Sequence, residues 1–356
     1  MNRNLLDLYT DYLISSFSQT SATGLSRLLD EMVSHDQVTR FLSSEAFESK
    51  DLWRLVKGFV RKIEDDDGVV IIDDSIEEKP YTDENEIICW HYDHSKGCSV
   101  KGINFLTTLY HTKGATFPVC FAIVDKTEAF IDKKTGKESR RSALTKNERY
   151  RAMLATCQKN GLRYRYVLND TWYAAAENML FVKNELNKDF LMPLKTNRKV
   201  ALSLEDKQNG KYVKLADLSL EEATLLEIRL EGVDFPLLLT KQVFTNEDDS
   251  QGVLYLVTSD LTLNPSDIAT IYQKRWKVEE YHKSLKQNAS LAQSPTRTER
   301  TQSNHLFASL CAYVKLESLK LKTRRNHFAL KTQIYVSALR SAFDHLHELK
   351  PCSFSS

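Results

Sequence analysis

Apolar residues fall at helical spacing through the first sixty positions, in Leu5, Leu6, Tyr9 and Leu13 and again in Leu25, Leu28 and Leu29, which predicts about three short helices. Residues 20–29 and 34–42 have the pattern of a helix-turn-helix, with Ser34 placed to cap the second helix. An ordinary helical hairpin fits the same pattern; in the helix-turn-helix reading the second helix would offer His35, Gln37, Thr39 and Arg40 to a DNA groove. After the acidic run Glu64-Asp65-Asp66-Asp67 and Gly68 the pattern changes. Val69-Val70-Ile71-Ile72 is a short β-branched run of the kind that forms a buried central strand, and it delivers Asp73-Asp74-Ser75 at its end.

Two more strands follow over 103–110 and 115–124, joined by a turn at Lys113-Gly114. A basic connection leads to a helix over about 146–159, with Gly161 where a helix stop belongs. The strand 164–168 ends at Asn169-Asp170, and a helix is expected from about 174 to 186. Three strands, a helix, a strand and a helix open a ribonuclease-H-like fold, which would bring the two strand-end aspartates to one edge of its sheet. Residues 200–252 turn strand-rich and turn-rich. The core then resumes with Val253-Leu254-Tyr255-Leu256-Val257-Thr258, and a long helix starts at Asn264-Pro265 and runs to about 287. The expected organisation is an α/β chain: a helical DNA-binding domain (1–66), a ribonuclease-H-like core in two parts (67–199 and 253–315), a β-rich insertion (200–252) and a helical C-terminal segment (316–356).

Composition narrows the class. The 356 residues are 42% hydrophobic, enough for a large core, and no run approaches the roughly 18 apolar residues that span a bilayer. The start of the chain, mixing Arg3, Asp7 and Asp11 among leucines, is unlike a signal peptide. Cys89, Cys98, Cys120, Cys157, Cys311 and Cys352 are scattered without a C-x-x-C pair and read as reduced thiols in a cytoplasm. Net charge is only +1, but the distribution is uneven: 271–356 holds 15 Lys/Arg against 6 Asp/Glu, whereas 1–67 holds 8 against 12. A basic C-terminal third can meet a phosphate backbone, as can the run from Lys133 to Arg141, although such a run alone reads as a solvated loop.

The candidate chemistry lies in three carboxylates. Asp74 and Asp170 follow strands, and Glu279 lies in the long helix, where Tyr272, Arg275 and Lys286 share its stripe at offsets that suit 3.6 residues per turn. One face thus offers a carboxylate for a metal, flanked by a phenol, a guanidinium and an ammonium for phosphates. Ile271, Val278 and Leu285 repeat every seventh position beside it, with Trp276 on the other flank, as anchors to the core. Asp73 and Asp74 face opposite ways if the strand is regular, and Glu280 points about 100° away from Glu279. Asp170 could also cap the helix that follows it. His91 and His94 lack a third ligand at zinc spacing and read as ordinary packing or surface residues.

The spacing Tyr-x2-Arg-x3-Glu-x6-Lys, with Arg-Trp-x-x-Glu-Glu-x-His-Lys around it, resembles the signature of the insertion-sequence-four family of bacterial DDE transposases. Asp74-Ser75 and Asp170 match that family's first two carboxylates. The resemblance implies metal ligation (Mg²⁺ or Mn²⁺) and catalysis by Asp74, Asp170 and Glu279, and transposon-end contacts by Tyr272, Arg275 and Lys286. It implies double-stranded DNA as partner, a homodimer in the synaptic complex, and cut-and-paste transposition at terminal inverted repeats. A catalytically silent, domesticated DNA-binding descendant is the alternative. Members of the family stack a tryptophan on a flipped base; here Leu254-Tyr255 stands in that region, so either Tyr255 substitutes or the base is held differently.

Overall fold

The structure, a computed structural model, describes residues 3–93, 96–131, 133, 136, 138–245 and 249–349. His94, Lys134, Thr135, Lys137, Cys352 and the rest of 350–356, which enter the reading above, lie outside the described residues. The chain divides into two compact units, one of residues 1–55, 77–102 and 281–356 and one of 56–76 and 103–280.

Helices α1 (Arg3–Ser15), α2 (Ala22–Leu28), α3 (His35–Ser43) and α4 (Ser49–Ile63) open the chain, four where three were expected. The first unit packs α1 and α3 against α10 (Glu299–Thr323), whose residues 304–314 are buried on every side. Asn304 in that helix anchors the bend after α3: its amide donates to the carbonyls of Leu42 and Glu45 at 2.8 Å each and accepts from the Phe47 N–H. Ser34 forms the expected cap, reciprocated by Gln37. Six residues separate α2 from α3, with Asp30 and Glu31 both at positive φ, longer than the usual three- or four-residue helix-turn-helix turn. His35, Gln37, Thr39 and Arg40 are all exposed.

The second unit is built on a mixed sheet. Its strands are β1 (Val69–Glu78), β3 (Cys98–Thr112), β4 (Ala115–Ile123), β7 (Tyr166–Leu168), β8 (Asp189–Leu194), β9 (Lys199–Ala201), β10 (Val213–Lys214), β11 (Leu225–Leu230), β12 (Leu237–Thr245) and β13 (Gln251–Thr258). The order is β10-β9-β11-β12-β13-β8-β7-β1-β3, with β4 on β3. β2 (Ile88–Asp93) continues the order beside β3, and β1 and β3 run at their far ends into the first unit. There Gly102 lets the strands close up, because a Cβ on it would lie 2.3 Å from the Glu77 carbonyl oxygen. β1 pairs in parallel with β7, and β7 with β8. The insertion therefore extends this sheet: β12 pairs with β13 and β13 with β8, all antiparallel.

Several expectations hold closely. Lys113 and Gly114, at φ 49° and 76°, make the β3–β4 hairpin turn. α5 (Lys146–Lys159) opens on a Thr145–Glu148 capping box and stops at Gly161, φ 63°. Others change. β8 was not foreseen. The basic connection instead forms a ribbon of β5 (Glu128–Ile131) and β6 (Glu138–Arg141). The helix after Asp170 breaks into a 3₁₀ turn (Thr171–Tyr173), α6 (Ala176–Leu180) and a π turn (Phe181–Glu185). α7 (Leu204–Gln208) lies within the insertion, and the long helix is α8 (Pro265–Gln273), a 3₁₀ turn (Lys274–Trp276) and α9 (Lys277–Asn288). α11 (His327–Leu349) closes the described chain. Among the described residues no helix is long and apolar enough to cross a membrane.

Candidate active site

The ladder between β1 and β7 joins Val69–Ile71 to Tyr166–Leu168. Two residues beyond it on each strand, the chains are free of one another, and there Asp73 and Asp170 stand. β1 itself continues to Glu78, so Asp73 and Asp74 lie within a strand and not at its end, because the later part of β1 still has β3 as neighbour.

Alternation sends the two neighbouring carboxylates to different surroundings. Asp74 is held by three donors: Lys146 Nζ at 2.6 Å and Asn104 Nδ2 at 3.1 Å on Oδ2, and Tyr173 Oη at 2.6 Å on Oδ1. Burial works to raise its pKa, but the Lys146 charge and these hydrogen bonds outweigh it, so Asp74 stays below the usual carboxylate range. Asp73 accepts from the Asp74 backbone N–H, and its nearest cation is Arg275, 3.6 Å away. Burial, then the charges of Asp170 and Asp74, hold its carboxyl well above the ordinary range. Asp170 accepts from the Trp172 N–H and so does cap the 3₁₀ turn. It is still raised, by burial and by the charge of Asp74.

Glu279 joins through a bridge. Arg275 Nη1 lies 3.6 Å from Asp73 Oδ2 and 3.4 Å from Glu279 Oε1. The one-turn spacing of Arg275 and Glu279 thus survives the 3₁₀ turn. Glu280 points elsewhere, toward Lys277. Asp73, Asp74, Asp170, Arg275 and Glu279 all belong to the second unit. Lys286 belongs to the first, half-buried, where its charge acts on the buried Glu77.

Three expected roles meet different surroundings. Tyr255 is buried, at 5% exposure, in β13. Tyr272 is also buried and donates to the Asn169 carbonyl at 3.3 Å, so its phenol positions the loop that carries Asp170. Trp276, expected as a core anchor, is 60% exposed, since at about 100° per residue it lies on the side of the helix opposite the buried Val278 and Leu285. Lys146, Asn104 and Tyr173 gave no signal in sequence; they lie 30 to 99 positions from Asp74. His91 is buried beside Cys89, 3.3 Å from its sulfur.

Among the described residues no three His, Cys, Asp or Glu side chains are already arranged around a metal position. The donor set nevertheless fits one. Asp73, Asp74 and Asp170 act on one another electrostatically, and two of them are pushed toward the neutral form by burial and mutual repulsion. Hard carboxylate oxygens crowded in this way suit a divalent cation such as Mg²⁺. Lys146 and Arg275 are the counter-charges present.

A family model described as DDE superfamily endonuclease matches residues 1–212, and a second, described as Transposase DDE domain, matches residues 131–315. None of the curated proteins matches the chain. Among solved structures, an endonuclease V from Bacillus subtilis is similar over 78% of this chain and 96% of its own, at 11% identity and a TM-score of 0.23, too low to bear on the fold. The two family models, each spanning more than half of the sequence and overlapping on the stretch that carries Asp170, show that the chain belongs to the DDE superfamily of transposases and endonucleases.

Proposed function

We propose that the chain is a Mg²⁺-dependent DDE transposase of the insertion-sequence-four kind, which cuts DNA at terminal inverted repeats and joins the ends to a target. One observation carries the reading: Asp73 and Asp74 share an aspartate cluster with Asp170, and Arg275 links that cluster to Glu279. The order β4-β3-β1-β7-β8, with β1, β7 and β8 parallel, supports a ribonuclease-H-like core in 67–199 and 253–315, with 200–252 as its insertion, 1–66 as a DNA-binding domain and 316–356 as a C-terminal segment.

On this reading Asp74, Asp170 and Glu279 would hold the metal, and Asp73, which lacks the donors of Asp74 and lies 3.6 Å from Arg275, is the other candidate ligand on β1. Bound divalent ions supply charge neutralisation for the attacking and leaving oxygens of in-line phosphoryl transfer. The protein's own groups position the rest. Tyr173 and Asn104 fix the Asp74 carboxylate, Tyr272 steadies the Asp170 loop, and Arg275, with five N–H donors, can hold a scissile phosphate while it orients Glu279. Arg40 and its exposed neighbours in α3, with Lys286, are the proposed contacts to the transposon end, and two copies would act together on two ends. The test is cleavage of labelled DNA carrying the inverted repeats that flank the reading frame. Mg²⁺-dependent nicking at the repeat boundary and joining of the freed 3′ end are expected; intact DNA with normal end binding would leave a DNA-binding protein without catalysis.

A further inference from the structure

The three donors on Asp74 differ in how firmly they are held. Tyr173 is buried, its ring stacked on that of Tyr150 at 5.2 Å and 14°, and its carbonyl accepts from the Asn178 amide. Asn104 is fully buried in β3, where its backbone carbonyl accepts from the Val124 N–H. Neither can leave Asp74 without opening the core. Lys146 differs from both, because its side chain is 40% exposed and its ammonium rides on a flexible four-carbon stem. Its backbone is fixed all the same: it opens α5 inside the Thr145–Glu148 capping box, and the buried Tyr150, Met153, Leu154 and Cys157 anchor that helix. The root stays in place while the head can swing.

The contact itself is that of one cation standing in for another. Lys146 Nζ lies 2.6 Å from Asp74 Oδ2, whereas Tyr173 holds Oδ1. A carboxylate oxygen that keeps an ammonium at this distance has less to offer a divalent ion, and the two cations repel each other. They therefore compete for Asp74. Arg275, the other counter-charge, has no such freedom, since its side chain is 14% exposed and sits between Asp73 at 3.6 Å and Glu279 at 3.4 Å. Without a metal the cluster still needs positive charge, because a buried carboxylate left without a partner is costly. Lys146 meets that need from a position it can give up.

We propose that Lys146 is the exchangeable cation of this site: it neutralises Asp74 while no divalent ion is bound, releases the Asp74 oxygen when one enters, and so sets the metal affinity. The inference rests on the metal site of the proposed function and adds a residue that works against metal binding, where Asp74, Asp170 and Glu279 work for it. The apparent affinity of a site falls in proportion to the fraction of molecules in which it is open. A Lys146 contact kept in about nine molecules of ten therefore weakens metal binding about tenfold.

The test is Mn²⁺ titration of the full chain without DNA, followed by electron paramagnetic resonance, for the wild type, Lys146→Met and Lys146→Arg. Lys146→Met keeps the stem and removes the charge, and it should bind Mn²⁺ about tenfold more tightly than the wild type. Lys146→Gln carries the same expectation should the Met variant fail to fold. Lys146→Arg keeps the charge and can grip a carboxylate with two N–H groups, so it is harder to displace and should bind roughly threefold more weakly or worse. A neutral variant that binds like the wild type or more weakly would make Lys146 a support for Asp74 and overturn the proposal. An Arg variant that binds as well as the wild type would reduce the effect to charge repulsion and overturn the exchange. A wild type that binds no Mn²⁺ at all would overturn the metal site itself, a failure distinct from either of these.

Discussion

Two buried carboxylate sites in the second unit are treated in opposite ways. At the close of β13, Asp260 is one acid among many donors: Thr262 Oγ1 at 2.6 Å and its N–H at 3.0 Å on one oxygen, Tyr166 Oη at 2.8 Å and Arg165 Nη2 at 3.0 Å on the other. Burial alone would raise its pKa, but the hydrogen bonds from Thr262, Tyr166 and Arg165 pull it down to about 2. At the other site Asp73 and Asp170 lie close to each other and to Asp74, and both are raised. A carboxylate saturated by its own fold has little remaining demand, and Asp74, with Lys146, Asn104 and Tyr173 on it, is satisfied much as Asp260 is. What separates the two sites is that Asp74 stands beside Asp73 and Asp170, which are left short of positive charge and so invite a cation to which all three can turn.

The contrast predicts opposite losses. Asp74→Ala, Asp170→Ala and Glu279→Ala should each lower Mg²⁺-dependent cleavage by roughly 10³-fold or more, measured with labelled end DNA, while Asp260→Ala cleaves normally below its melting temperature. Near-normal cleavage by any of the first three would remove that residue from the site.

Stability should run the other way. Asp260→Ala strands Arg165 and the Tyr166 hydroxyl and should cost about 3 kcal/mol in denaturant unfolding. Asp170→Asn should leave the metal-free protein as stable as the wild type or more so, because it removes a repelled charge. Asn keeps the N-cap, so a large loss from Asp170→Asn would mean that the Asp170 charge stabilises the fold, and a further loss in Asp170→Ala would measure the cap.

These effects rest on partners distant in sequence, which is where the reading of the chain reached its limit. Local chemistry was legible: the Thr145–Glu148 box and Gly161 bound α5, and Lys113-Gly114 turned a hairpin, because neighbours along the chain decide such features. The Arg275–Glu279 spacing likewise survived into a real ion pair. β8 escaped because Pro193 speaks against a central strand, and here it pairs with Leu256 all the same. The donors to Asp74 come from three separate elements, β3, α5 and the 3₁₀ turn after Asp170. No periodicity in a single segment encodes those contacts.

Acid titration should separate the two sites further. Asp260, with its folded pKa of about 2 against an ordinary 3.8, contributes about 2 kcal/mol that is fully present above pH 4 and lost as pH falls toward 2. Asp260→Asn should flatten that limb of the stability curve. The raised Asp73 has the reverse sign: it favours the fold while protonated, and that advantage fades as pH rises from the ordinary value through its folded pKa. A curve unchanged by Asp260→Asn would contradict the first assignment.

A smaller effect is expected at Arg275. Replacement by Lys keeps the charge but cannot reach Asp73 and Glu279 together, so cleavage should fall about tenfold, with Ala lower still.

The most direct measurement is Mn²⁺ binding to the DNA-free protein, followed by electron paramagnetic resonance for the wild type, Asp170→Asn and Asp260→Asn. The wild type and Asp260→Asn should bind alike, and Asp170→Asn should bind at least tenfold more weakly. Equal binding by all three would show that the crowded aspartates of β1 and β7 are not a metal site.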